Sequence, residues 1–201
     1  MLIHIHPDNP QPRLIKQVVE CLRDGGIIIY PTDTIYGLGC DIAQPKAIER
    51  ICRIKKVEPQ KAQLTFVCYD LSDLSHYAKQ LPTSIYRTLK QYLPGPYTFI
   101  LEASKQVPKL LKTKKDTIGI RIPDNIIARC IVHELGNPVL STSLPGESVE
   151  EYTDPEIIHE QFEKVVDIVI DGGIGGINPS TVVDFTQGEP VVIRQGAGIY
   201  E

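Results

Sequence analysis

The sequence contains no tryptophan, one methionine and five cysteines, none of them arranged as a C-x-x-C pair. An odd number of scattered cysteines argues against a disulfide framework or a cysteine-rich zinc site, and it favours a reducing compartment. No apolar run is as long as a membrane span, and the N-terminal residues lack the basic region and apolar stretch of a signal peptide. We therefore expect a cytoplasmic protein that does not associate with a membrane.

The composition lacks a strong charge of either sign. The formal net charge of the 201 residues is −4, with 42% hydrophobic and 23% charged residues. These values are ordinary for a globular protein and argue against binding of nucleic acid by overall charge alone, although a local basic patch stays possible. The length suits one domain over residues 1–201 with a substantial core.

Helix and strand patterns alternate along the chain. Helical spacing of apolar residues, often ended by glycine, occurs in PQPRLIKQVVECLRDGG, PKAIERICRI, LSDLSHYAK, PTSIYRTLKQYL, NIIARCIVHELG and a stretch from about Asp154. Strand patterns occur in LIHIH, where Ile3 and Ile5 alternate with His4 and His6, and in GGIIIY, LTFVCYD, PYTFILEA, DTIGIRIP, PVLSTS, VVDIVIDGG, STVVDF and EPVVIRQG. We expect an α/β (α+β) fold, with a twisted, mostly mixed sheet of about seven to eight strands covered by helices on both faces.

Hydroxyl, acidic and basic residues recur where the predicted strands end. They are Thr32-Asp33-Thr34, Arg121, Ser141-Thr142-Ser143, Ser180-Thr181 and Arg194, with Arg53, Lys55, Lys56 and Lys61 between them. Such side chains also form turns, helix ends and surface ion pairs, and those alternatives stay open for each one alone. Five such features at strand ends can meet in one crevice, and they favour a small-molecule anion or nucleotide site.

Five motifs occur in the order found in the YrdC-like family of threonylcarbamoyl-AMP synthases, which the chain resembles over residues 10–198. They are PTDTIYGLG, PGPYTFIL, TIGIRIP, DGG…PSTVVDF and VVIRQGAG. The segments IHPDNPQPRLI, ERICRIK and DLSDLSHYAK are most similar to the YciO branch of that family.

The resemblance implies a fold with a basic concave cavity and a reaction of L-threonine, bicarbonate and ATP. The products would be threonylcarbamoyl-AMP and pyrophosphate, with Mg²⁺ bridging phosphate oxygens. It also implies partner proteins that use the product to modify tRNA, and binding of double-stranded RNA.

The family's functional positions map onto this sequence residue by residue. Those around the threonine correspond to Thr34, Arg121, Ser141 and Ser180, and those around the nucleotide to Lys55, Thr117, Ser143 and Arg194. Lys55 would be the catalytic cation. Thr32 and Asp33 are expected to hold the turn.

Two departures from the family pattern fall on the nucleotide side. The Lys-x-Arg-Pro motif is replaced by Lys55-Lys56-Val57-Glu58-Pro59, in which the second cation is either missing or displaced to Lys56. The Ser-Ala-Asn-x-Ser-Gly loop is replaced by residues 143–148, SLPGES. The sequence therefore predicts a retained amino-acid pocket and a weakened or altered use of ATP.

A different class of function is a module that binds structured RNA or tRNA. Lysines 105, 109, 112, 114 and 115 form a basic stretch that could contact phosphates, or could be a solvated surface. A third possibility is a related enzyme that transfers or hydrolyses another carbamoyl adenylate.

Overall fold

A computed structural model describes residues 1–58, 61–62, 64–108, 111, 116–146 and 152–201. Within these residues there are six helices: α1 (Pro12–Arg23), α2 (Pro45–Lys55), α3 (Leu71–Tyr77), α4 (Thr83–Tyr92), α5 (Ile126–Leu135) and α6 (Pro155–Phe162). The strands are β1 (Leu2–His4), β2 (Ile28–Tyr30), β3 (Gly37–Asp41), β4 (Thr65–Val67), β5 (Tyr97–Glu102), β6 (Thr117–Arg121), β7 (Val139–Ser143), β8 (Ile168–Asp171), β9 (Thr181–Asp184) and β10 (Val191–Arg194). They form one sheet in the order β1-β8-β2-β3-β7-β4-β6-β5-β9-β10.

The helices begin and end near the proline, asparagine and glycine residues that predicted their ends. Pro12 and Pro45 occupy first-turn positions of α1 and α2, where a missing backbone N–H costs little. The side chain of Asn125 caps α5 by accepting from the N–H of Ala128, and Gly136 ends it in the left-handed conformation. The helical predictions from apolar spacing are confirmed.

The predicted mixed sheet is confirmed, but the predicted strand number is too low. Strands β1 and β2 both run parallel to β8, whereas β3 runs antiparallel to β2 and β7. The strand that the sequence hid is β3, because its sequence GLGCD contains two glycines and reads as part of a turn. All five of its residues are buried within the sheet.

Strand side chains alternate between the two faces of the sheet, so the register shows which residues share a face. One face is apolar, and the other is divided between a part covered by helices and a polar part. The apolar face carries Leu38, Phe66, Phe99, Ile120 and Leu140, which pack with residues of α2, α3, α4 and α6 in one buried cluster. On the opposite face, α1 and α5 cover strands β1, β8 and β2. Helices thus lie on both faces, as expected.

The rest of that divided face carries mainly small or polar residues, together with Ile100, Glu102 and Val182. The register aligns them across neighbouring strands. We call seven of them the polar floor: Thr65, Thr98, Thr117, Gly119, Arg121, Ser141 and Ser143. The apolar cluster beneath α1 and α5 reaches only to Val67 and Val139, where the floor begins. The expected basic cavity stays a prediction, and the floor with the cations around it is where it would lie.

None of the helices in the described ranges combines the length and hydrophobicity that crossing a membrane requires. The five cysteines are free thiols, and Cys40, Cys52 and Cys68 are buried.

Candidate functional site

Arg121, the last residue of β6, is the centre of a polar cluster with the segment that follows β2. Its Nη2 atom pairs with the Asp33 carboxylate and donates to Thr34 Oγ1 at 2.7 Å, with a longer contact of 3.4 Å to Thr32 Oγ1. The side chains of Arg121 and Asp33 are each 10% exposed, so water screens their attraction weakly. The structure therefore joins Arg121 and Thr34, both predicted for the amino-acid end of the site.

The turn after β2 is held by Thr32, as predicted. Its hydroxyl accepts from the N–H of Thr34 at 3.1 Å and donates to the carbonyl of Ile35 at 2.7 Å. Since the Thr32 proton is used there, the contact of 3.1 Å between the two threonine hydroxyls has Thr34 as its donor. Thr34 accepts from Arg121 and donates to Thr32, which leaves its hydroxyl one lone pair for a ligand donor.

Asp33, which the sequence assigned to the turn, instead directs its carboxylate at Arg121. The pair uses one atom of each group: Asp33 Oδ2 and Arg121 Nε are buried without a partner among the described residues. The two residues are 88 positions apart in the chain, so the sequence alone gives no sign of their contact.

Ser141 lies on β7 with its side chain on the polar floor and is 7% exposed. Its Oγ accepts a hydrogen bond of 2.8 Å from the hydroxyl of Tyr30 at the end of β2. Burial raises the pKa of Tyr30 to about 12, so the phenol keeps its proton at physiological pH. Sequence reasoning predicted Ser141 and missed Tyr30.

Ser180 and Arg194 meet beside β5. The guanidinium of Arg194 donates twice to the carbonyl of Ser180, at 3.1 and 2.8 Å, and Ser180 Oγ lies 2.7 Å from Thr98 Oγ1. Arg194 is an exposed residue of β10, and partial desolvation of its guanidinium, with the positive charge of Arg121 second, lowers its pKa. The strand register explains why the charge of Arg121 affects the pKa of Arg194. Arg194 pairs with Val182, and Val182 pairs with Thr98. The β5–β6 register, continued by one residue, places Thr98 beside Arg121.

Arg194 therefore lies in the same row of the sheet as Arg121, although the resemblance assigned the two residues to different ends of the substrate. Thr98 was missed by sequence reasoning. The signal that could have found it is the alternation in YTFILE, which puts Thr98 on the face opposite Phe99.

Lys55 and Ser143 form a second group at the carboxyl end of β7. The ammonium of Lys55 donates to the Ser143 carbonyl at 2.9 Å, and it lies 3.3 Å from Ser143 Oγ and 3.4 Å from the Leu144 carbonyl. Burial lowers the pKa of Lys55. Two of the residues predicted for the nucleotide are thus in contact.

The remaining nucleotide candidates are more loosely connected to this group. Thr117 is half-buried at the start of β6 and its side chain shares the floor with Ser143. Lys56 ends α2 in the left-handed conformation and is exposed. In the described ranges, no hydrogen bond or ion pair joins its side chain to another predicted site residue.

The glycine-rich loop after β8 supports the Thr34 segment. The N–H of Gly176 donates to the Thr34 carbonyl at 2.7 Å. The hydroxyl of Tyr36 donates to the Gly173 carbonyl at 2.7 Å and accepts from the N–H of Gly172 at 3.3 Å. Burial raises the pKa of Tyr36, so this donor also stays protonated. These hydrogen bonds of the glycine-rich loop stabilise the turn that contains Thr34.

Part of the predicted basic stretch and of the altered loop lies outside the described residues: lysines 109, 112, 114 and 115, with Glu147 and Ser148. Lys105 is described and is exposed. Across the described ranges, no group of three or more His, Cys, Asp or Glu side chains could hold a metal ion. A magnesium ion at this site would depend on oxygen atoms of a bound phosphate for most of its coordination.

The family model for Sua5, YciO and YrdC proteins, described as "Telomere recombination", matches residues 20–196. The uncharacterised protein YciO of Escherichia coli K12 is 50% identical over 97% of this chain and 95% of its own length. The crystal structure of E. coli YciO matches the fold with a TM-score of 0.91, at 48% identity over 99% of this chain and 97% of that chain.

Threonylcarbamoyl-AMP synthases are more distant relatives. The enzyme of Chromobacterium violaceum is 33% identical over 90% of this chain and 94% of its own length. The crystal structure of Pyrococcus abyssi Sua5 complexed with L-threonine matches with a TM-score of 0.86 at 27% identity, over 98% of this chain and 57% of that longer one.

Proposed function

The chain belongs to the Sua5/YciO/YrdC family, and on this basis we propose that it is an ATP-dependent L-threonylcarbamoyladenylate synthase. L-threonine and bicarbonate would give a carbamate and water, and the carbamate oxygen would attack the α-phosphorus of ATP. The bond between the α-phosphorus and the bridging oxygen would break, releasing pyrophosphate. The product would serve tRNA modification by partner proteins.

The observation that carries this proposal is the polarity of the hydrogen bonds at Thr34 and Ser141. Thr34 has only acceptor capacity left, whereas Ser141 accepts from Tyr30 and keeps its own proton for a ligand. Arg121 stands in the same cluster as a cation. A site that offers an acceptor, a donor and a guanidinium suits an amino acid, which carries both N–H donors and a carboxylate.

Two relatives support this assignment from outside the chain. Sua5 of P. abyssi was crystallised with L-threonine, and the C. violaceum relative is a threonylcarbamoyl-AMP synthase. All four residues predicted for the amino acid, Thr34, Arg121, Ser141 and Ser180, are at most 8% exposed. Buried polar side chains of this kind are pre-oriented and would lose little entropy on binding.

At the nucleotide end, Lys55 would neutralise charge on the phosphates. Its ammonium is held by carbonyl groups of Ser143 and Leu144 and keeps a flexible stem, so it can also reach a phosphate beside β7. Arg194, which donates to the Ser180 carbonyl in the row of Arg121, would supply a second cation where the amino-acid and nucleotide ends of the site meet. Positioning and charge stabilisation account for most catalysis in phosphoryl transfer, and little covalent work would fall to the protein.

The test is to mix the purified protein with ATP, L-threonine, bicarbonate and magnesium, and to follow the adenylate and pyrophosphate by mass spectrometry. We expect product that depends on threonine. Lys55→Ala and Arg194→Ala should each lower kcat/KM by about one to two powers of ten, the cost of one charged contact to a phosphate. Lys16→Ala removes an exposed lysine of α1 and should match the wild type. Wild-type turnover in both site variants would contradict the nucleotide assignment.

Absence of product would bring the RNA hypothesis forward, and salt separates the two. Binding of a tRNA by several lysines should weaken steeply between about 50 and 200 mM salt, whereas binding of ATP should change much less.

A further inference from the structure

Tyr30 lies across the neighbouring strand β3, and the glycines of that strand make this possible. A Cβ atom added to Gly37 would lie 3.1 Å from Tyr30 Cε1, and one added to Gly39 would lie 3.0 Å from the same atom. The ring therefore packs on bare backbone at both positions. The two glycines of the stretch YGLGC give the tyrosine a path over β3 to the next strand.

On the far side of β3, the Tyr30 hydroxyl reaches Ser141 Oγ on β7 at 2.8 Å. Tyr30 is 1% exposed, and Ser141 is the only hydrogen-bond partner of its hydroxyl in the described part of the chain. An unpaired O–H in such a place would cost the full desolvation of the donor, so the phenol donates and the serine accepts. The direction of this bond is set by burial.

This direction fixes what Ser141 can offer to a ligand. One lone pair of its oxygen faces Tyr30, and none of the described residues accepts the serine proton. The Ser141 side chain belongs to the polar floor, and Arg121 stands on the same floor two positions along the register. A ligand above the floor would therefore meet the serine as a donor, beside a guanidinium.

We propose that Tyr30 is a positioning residue, which holds the Ser141 hydroxyl as a donor to the carboxylate of the bound amino acid. This inference rests on the proposed function, because it takes L-threonine as the ligand of the floor. Tyr30 would touch Ser141 and not the substrate. Without the phenol, the serine hydroxyl could rotate and donate elsewhere, and part of its contribution to binding would be lost.

The test is a double-mutant cycle on amino-acid binding by titration calorimetry, with wild type, Tyr30→Phe, Ser141→Ala and the double variant. Tyr30→Phe keeps the ring on the glycines and removes only the hydroxyl. It should weaken L-threonine binding by about 3- to 10-fold, the value of one oriented hydrogen bond, and leave ATP binding within about twofold. In the Ser141→Ala background, the same change should alter L-threonine binding by less than about twofold, since its partner is gone.

Tyr92→Phe is the matched control, because the Tyr92 hydroxyl donates to the Glu201 carbonyl at 2.8 Å, away from the polar floor. It should bind L-threonine as the wild type does. Equal weakening of L-threonine and ATP by Tyr30→Phe, or additive effects of the two changes, would overturn the positioning role and leave only a packing role.

Failure of the proposed function gives a different result. Wild type that binds L-threonine with the expected coupling, but forms no adenylate, would refute the synthase and support the positioning role. If the wild type forms adenylate but the effects of Tyr30→Phe and Ser141→Ala on L-threonine binding are additive, only the role of Tyr30 is refuted. Wild type that binds no L-threonine at all would overturn both.

Discussion

Replacing Asp33 with alanine should lower the free energy of unfolding by about 3 kcal/mol, because it leaves the guanidinium of Arg121 without its counter-charge in a buried place. Both side chains of the pair are 10% exposed. Losses on breaking a buried ion pair run from about 3 to 5 kcal/mol, and we expect the lower end of that range. The reason is that Arg121 keeps its hydrogen bond of 2.7 Å to Thr34.

Urea unfolding followed by circular dichroism measures this loss. With an m-value of about 2 kcal/mol/M, the midpoint should fall by about 1.5 M. Glu189→Ala removes an exposed carboxylate, and its effect should stay within about 0.5 kcal/mol.

A second comparison isolates the pair from the general cost of mutation. Combining Asp33→Ala with Arg121→Met removes both charges. The double variant should therefore lose less unfolding free energy than the two single variants together, by at least about 1.5 kcal/mol. The reasoning would be refuted if Asp33→Ala cost less than about 1 kcal/mol, or if the two losses added. Either result would mean that water already screens the pair.

Two further predictions concern packing and pH. Gly39→Ala should cost about 1–3 kcal/mol in urea unfolding, because the new Cβ would lie 2.6 Å from Val139 Cγ1; unchanged stability would contradict the tight contact. Burial raises the pKa of the Cys40 and Cys68 thiols above the ordinary 9.0, so the folded protein keeps protons that the unfolded chain releases. The contribution of the two protonated thiols to the free energy of unfolding is complete below pH 9. It is lost as the pH rises above 9, at about 1.4 kcal/mol per pH unit for each thiol. Unfolding free energies that are equal at pH 8 and pH 10 would contradict this sign.

The helices and most strands could be predicted because their signals are local. Apolar residues at helical spacing form the buried side of α1, and glycine or proline marks the ends of helices. Strands β2 and β8 are apolar runs within the sheet. Strand β3 could not be found this way, because glycine has no side chain with which to signal a strand, and here it serves the tyrosine that crosses it.

The sequence predicted which types of side chain form the site, but it did not predict which of them contact each other. Hydroxyl and guanidinium groups at strand ends pointed to Arg121, Ser141 and Ser180, since polar side chains there must bond something. The contact of Asp33 with Arg121 depends on the strand order β2-β3-β7-β4-β6, and the row that joins Arg121 to Arg194 depends on the order β6-β5-β9-β10. Strands that are distant in sequence become neighbours through crossovers, and side-chain periodicity carries no information about that order.

The division of one sheet face between helices and the polar floor has an evolutionary consequence. The apolar clusters on both faces supply the hydrophobic burial, whereas the floor residues contribute little to it. Apart from Arg121, which is held in a buried ion pair with Asp33, floor residues can therefore change with little loss of the fold, and selection on the ligand can act on them almost independently of selection on folding. The lineage can redirect its chemistry by exchanging a few short side chains on a scaffold whose stability is secured elsewhere.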